Sequence, residues 1–162
     1  MAFILLLKNE LPAGLAEIDQ ALKLNPSSLI FLENIGHLAA LMGDWQGGPS
    51  LIKKAIAQNP YYNRIVHYSL WVDWVRQEEY DRAYEETLHF RMPALFWDPL
   101  LKTASLGLLG RPEEGVRAGK DLLKCKPDFP NCGRTLIRHY IKFDEIVERT
   151  ILGLGKAGIE VK

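Results

Sequence analysis

Three patterns in this sequence use residue types that can do chemistry. The first is Gly153-x-Gly155-x-x-Gly158, the spacing of a dinucleotide-binding turn. Such a turn needs a strand before it and a helix after it, so that backbone N–H groups at the helix start can hold a pyrophosphate. Here a helical pattern precedes the motif and only four residues follow it, so the glycines read as caps on a helix end. The second pattern is a set of potential ligands and nucleophiles: His37, His67, His89, His139, Cys125 and Cys132. They are scattered along the chain, with no H-E-x-x-H, C-x-x-C or phosphate-loop sequence, so neither a metal nor a cofactor is expected. Cys132 and His139 lie seven residues apart, two turns along one helix, too far for a nucleophile and its base. The third is the acidic run Glu78-Glu79-Tyr80-Asp81 with Glu85-Glu86. It reads as a solvated helix start, where carboxylates favour the positive end of the dipole. A paired-carboxylate hydrolase would need a cleft and a raised pKa, and the sequence supplies a reason for neither. The expected protein catalyses nothing; an enzyme with a site assembled only in three dimensions is the alternative.

The composition narrows the classes further. The chain has 162 residues, 48% apolar and 25% charged, with 20 basic residues balancing 20 acidic ones. A formal net charge of zero leaves no electrostatic footprint for nucleic acid or an anionic membrane. Two cysteines make no disulfide framework at this size and point to reduced thiols in the cytoplasm, with a regulatory disulfide as the alternative. The apolar stretch Ala2 to Leu7 has no basic residue ahead of it and no small-residue cleavage site behind it. It is also far shorter than the roughly 20 residues a membrane helix needs.

The elements that must position these side chains come from a repeat. Gly14-Leu-Ala-Glu-Ile18-Asp-Gln-Ala21-Leu-Lys-Leu-Asn25-Pro26 aligns without a gap to Gly48-Pro-Ser-Leu-Ile52-Lys-Lys-Ala55-Ile-Ala-Gln-Asn59-Pro60, at an offset of 34 residues. Pro93 and Pro127 continue the series. A small residue recurs at Gly14, Gly48, Ala83 and Gly115, where two helices must approach closely. Ile18 with Ala21, and Ile52 with Ala55, share one helical face. Each proline then stops its helix. Five positions before each small residue stand Asn9, Gly43, Glu78 and Gly110, which read as turns. Leu11, Trp45, Tyr80 and Pro112 are the predicted starts of the helices that follow.

This pattern resembles the tetratricopeptide repeat family in its period, its small residues and its terminal prolines. The resemblance implies an all-α fold, a right-handed superhelical solenoid of antiparallel helix pairs. As one domain over 1–162 it would hold four repeats (1–26 truncated, 27–60, 61–93 and 94–127) and a capping hairpin over 128–158. It also implies protein or peptide partners, held on an inner face formed by the first helix of each pair. Carried over by position, that groove holds Asn34, His37 and Leu41, then Tyr68, Val72 and Arg76, then Trp97 and Leu101, with Arg134 and Arg138 in the cap. Glu33 and His37 beside Asn34 depart from the family's carboxylate-binding clamp, which disfavours that type of ligand. Lys102 stands at a normally apolar place.

Counting back 34 residues from Gly36 reaches Ala2, so the first unit starts partway into a helix. A fragment of a longer protein is expected, with self-association through the N-terminal half repeat as one consequence. The closing Gly-Leu-Gly-Lys-Ala-Gly also bears a weaker resemblance to C-terminal repeat regions of bacterial multidomain regulators, including those joined to nucleotide cyclases. That implies a sensory or scaffolding segment, and the alternative function is a structural, self-associating segment of a bacterial signalling or transcriptional regulator. The aromatic cluster Tyr61, Tyr62, Tyr68, Trp71 and Trp74, with Phe96 and Trp97, has two readings: packing between irregular repeats, or an aromatic groove wall.

Overall fold

The computed structural model describes residues 1–25 and 28–162; Pro26, the predicted stop of the first unit, lies outside the described residues. The described residues form helices and no strand. In order these are α1 (Ala2–Leu7), α2 (Leu11–Leu24), α3 (Leu29–Leu41), α4 (Gly47–Gln58) and α5 (Val66–Arg76). They continue with α6 (Tyr80–Phe90), α7 (Trp97–Leu108), α8 (Pro112–Cys125), α9 (Phe129–Tyr140) and α10 (Asp144–Lys156). The chain forms two compact units, Met1–Leu70 and Trp71–Lys162, and α5 runs across their boundary.

The turns are built alike, and the sequence shows why. Asn9, Gly43, Glu78 and Gly110 all adopt positive φ, at 62°, 98°, 63° and 70°. In each case the next residue's N–H reaches five residues back: Glu10 to Leu5, Asp44 to Ala39, Glu79 to Trp74 and Arg111 to Leu106, at 2.9–3.0 Å. The left-handed residue itself donates to the carbonyl three before it, completing a Schellman motif. Glycine does this without strain, whereas Asn9 and Glu78 each accept a cost of about 1 kcal/mol. The turn aims the chain back along the helix it has left, and the small residue five positions on meets that helix. A Cβ at Gly48 would lie 2.5 Å from the Ala40 backbone nitrogen, and one at Gly115 would lie 3.6 Å from Leu106 Cβ.

Helices α2, α6 and α8 begin at Leu11, Tyr80 and Pro112 as the spacing predicts, but α4 begins at Gly47 rather than Trp45. The Asp44 carboxylate accepts the Gly47 N–H at 2.8 Å, so this side chain satisfies a helix-start donor two residues later than expected.

The first unit buries Leu6, Ile18, Leu32, Ile35, Ile52 and Val66. The second buries Trp71, Phe90, Leu100, Leu106, Phe129, Ile137 and Leu154. Trp71 Nε1–H donates to Ser105 Oγ at 2.8 Å, joining two residues one repeat period apart. Helices α9 and α10 form the predicted hairpin, tied by Arg134 to Glu148 and by Arg138 to Asp144. Its packing differs from a simple sequential cap. Helix α10 meets α7 backbone to backbone at Gly153 and Gly107. The residues beyond 158 join in, since Ile159 is buried and the Lys162 N–H reaches the Pro130 carbonyl at 3.0 Å.

Candidate functional site

Half of the expected groove residues are core. Leu41, Tyr68, Val72 and Leu101 are at most 4% exposed and Trp97 is 9% exposed, so they offer no open contact surface. In the second unit the cause is the chain's own C-terminal hairpin. Tyr140 stands edge-on to Trp97 with ring centres 5.7 Å apart, and Gly153 lies against Ala104 and Leu108. The stripe of α7 predicted to face a ligand therefore faces α9 and α10.

The polar half of the set is reachable but engaged. Asn34 is exposed and its amide donates to the Ile30 carbonyl of its own helix at 2.7 Å. Arg76 places Nε and a terminal nitrogen 3.0 and 2.8 Å from one Asp73 oxygen. Arg134 and Arg138 clip α9 to α10, and their partner Glu148 is held below the usual carboxylate range, chiefly by its hydrogen bond from Arg134. Sequence reasoning missed Arg149, whose guanidinium donates to the Arg76 carbonyl at 2.7 Å and pairs with Glu78 at 2.9 Å, fastening α10 to the end of α5.

His37 belongs to a buried polar cluster in the first unit. Its Nδ1 lies 3.1 Å from Ser69 Oγ, and that hydroxyl donates to the Val66 carbonyl at 2.9 Å. A serine has one proton to give, so His37 must be the donor toward Ser69 and carries its proton on Nδ1. A base that activates serine needs the opposite arrangement, so the pair is structural. Although the residue keeps some surface, burial lowers the imidazole pKa from 6.5 to about 4. Between those values the unfolded chain binds more protons than the folded one. Stability is thus complete above about pH 6.5 and is lost as the pH falls toward 4, by roughly 3 kcal/mol in total. Urea melts from pH 7 to 4 should show this loss, and His37→Gln should remove most of it; parallel pH profiles for the two proteins would refute the assignment.

The open site lies on another stripe of α7. Asp98, Lys102 and Leu106 recur every four residues and line a groove of about 480 Å³, walled by Tyr84 of α6 and by Glu114, Arg117, Ala118, Asp121, Lys124 and Cys125 of α8. Pro93 and Pro99 complete it. Its acids are already answered. Asp98 accepts the Met92 N–H at 2.5 Å, Asp121 pairs with Lys124 at 2.8 Å, and Glu114 takes both arms of Arg111 at 2.7 Å. The Glu114 carboxyl is held low chiefly by Arg111, with Arg117 and Lys102 adding to the pull. A smaller cleft around the start of α8 shares Glu114 and Arg117. The one sequence signal for this groove was Lys102 at an apolar repeat position.

Among the described residues no group of three potential ligands stands together to hold a metal ion. Cys125 is an exposed free thiol, and the Cys132 thiol donates to the Asp128 carbonyl at 3.3 Å. The glycine motif has a structural role at two of its positions. Gly153 admits α7, and Gly158, at φ 84°, closes a fifth Schellman turn with Ile159 N–H bonded to the Leu154 carbonyl. No described helix is long and apolar enough to cross a membrane.

No family model matches the sequence, and no curated protein matches it. Among solved structures the chain is similar to one described as "MamA MSR-1 C2", at 19% identity and a TM-score of 0.62, over 97% of this chain and 90% of that one. The likeness shows the fold: an all-α helical-repeat fold of tetratricopeptide-like type.

Proposed function

We propose that this chain is a non-catalytic protein-binding module, one array of helix pairs over 1–162 serving a larger cytoplasmic assembly in a bacterium. The observation that carries this reading is the open groove of α6, α7 and α8, which charged and apolar side chains line together. The side chains capable of chemistry point the same way, since His37 and Ser69 have the wrong proton arrangement and the acids are held in ion pairs or hydrogen bonds. Asn34 and His37 in the first unit, and separately Arg76, Arg134 and Arg138 in the second, remain candidates for further contact surfaces.

Photo-cross-linking amino acids placed at Asn34, Pro93 and Arg138 of the full chain test the reading in cells. Cross-links to a distinct polypeptide, competed by excess unlabelled chain, are the expected result. A second reading has its own observation: Met1 at the start of α1 and Phe3 and Ile4 on it are 78%, 46% and 51% exposed, while Leu6 is buried. An apolar patch of this kind suits contact between copies. Cross-links only between copies, together with Phe3→Glu/Ile4→Glu converting a sedimenting dimer to monomer, would replace the partner reading by self-assembly. Cross-links at no position would reject both.

A further inference from the structure

We propose that the groove between α6, α7 and α8 docks an acidic segment of a partner polypeptide, with Lys102 and Arg117 receiving its carboxylates. The inference rests on the protein-binding reading and gives it a site and a chemistry.

Charge accounting within the groove favours an anion. Asp98, Asp121 and Glu114 are each satisfied from within the chain, by Met92 N–H, Lys124 and Arg111. Lys102 and Arg117 are exposed and make no ion pair among the described residues. The carboxylate whose charge they feel is that of Glu114, and both arms of Arg111 already occupy it. Three cations around one acid leave the wall between α7 and α8 locally positive. Lys102 also interrupts the repeat pattern where an apolar residue belongs, and the structure turns that residue into the groove instead of the core.

The shape and lining select a chain over a small ion. A cavity of about 480 Å³ exceeds what a phosphate fills. An extended segment can set single carboxylates at Lys102 and Arg117 while its apolar parts lie on the exposed Pro93 and the half-buried Tyr84 ring. Arginine and lysine here serve different ends: the guanidinium can take a carboxylate in two parallel bonds, and the ammonium adds a point charge.

The probe is a fluorescein-labelled decapeptide of alternating glutamate and alanine, titrated with the full chain and followed by anisotropy. Saturable binding that weakens with salt is expected, and Lys102→Glu/Arg117→Glu should weaken it at least about 10-fold. Lys23→Glu/Lys54→Glu, in the first unit, should change it less than about 2-fold. Both variants alter exposed residues, and melting curves check that each folds before its binding is compared. Cys125 lines the groove and supplies a second readout: in a Cys132→Ser background the peptide should slow its maleimide modification several-fold. Absence of saturable binding, equal losses in the two variants, unaltered Cys125 reactivity or displacement by equimolar inorganic phosphate would each overturn the proposal. Cross-links to a partner at Asn34 or Arg138 would survive such a failure, so the broader reading is judged separately.

Discussion

Gly107→Leu should remove more than about 3 kcal/mol of stability from the second unit, at or beyond the top of the range for overpacked contacts. A Cβ at position 107 would overlap the Gly153 carbonyl oxygen and sit 2.8 Å from its carbon. That oxygen cannot swing aside, because it accepts the Ala157 N–H within the end of α10. Gly153 meets the Ala104 carbonyl in the same way, so the two helices touch backbone to backbone and neither has slack. Relief comes only by lifting α10, which exposes the buried side chains of Leu108, Ile146 and Leu154. Urea melts give the magnitude, and limited proteolysis should find new cleavage between 144 and 162. Gly155→Ala is the matched control. Its Cβ meets nothing within 4 Å, so it should gain about 0.5–1 kcal/mol from helix propensity. Equal melts for the Gly107→Leu and wild-type chains would mean that α10 does not pack on α7.

Trp97→Ala separates core from groove at the aromatic cluster. The indole is 9% exposed, stacked within 4.8 Å of Phe96 and edge-on to Tyr140, so its removal leaves a cavity where α7 meets α9. The expected cost is roughly 3–5 kcal/mol, with the folded fraction still binding the acidic peptide as tightly as wild type. An unchanged melting temperature with lost affinity would restore Trp97 to the binding surface.

The sequence revealed the hinges far better than it revealed the surfaces. Asn9, Gly43, Glu78 and Gly110 were legible because a left-handed turn is fixed by a few consecutive residues, and a period of 34 repeats the signal. The inner-face assignment of Trp97 and Leu101 failed because it assumed open space beside α7, whereas covering that stripe takes α9 and α10, which arrive from elsewhere in the sequence. Arg134 and Arg138 looked like rim charges because no periodicity announces Glu148 and Asp144 as their partners. Lys102 carried the opposite lesson. A residue that broke the pattern marked a wall of α7 that stayed open.

The hinges also bear on how the chain reaches this structure during synthesis. Each Schellman bond closes over five residues, so a hinge can be set as soon as its helix has left the ribosome. The junction of Ala104 and Gly107 with Gly153 has no such local route, because nearly fifty residues separate its halves. Until α10 emerges, Ala104 and Leu108 have nothing from that helix against them, and the nascent second unit is a stretch of hinged hairpins with an uncovered seam. Closing that seam waits for α10, and a ribosome stalled before residue 144 would leave it uncovered.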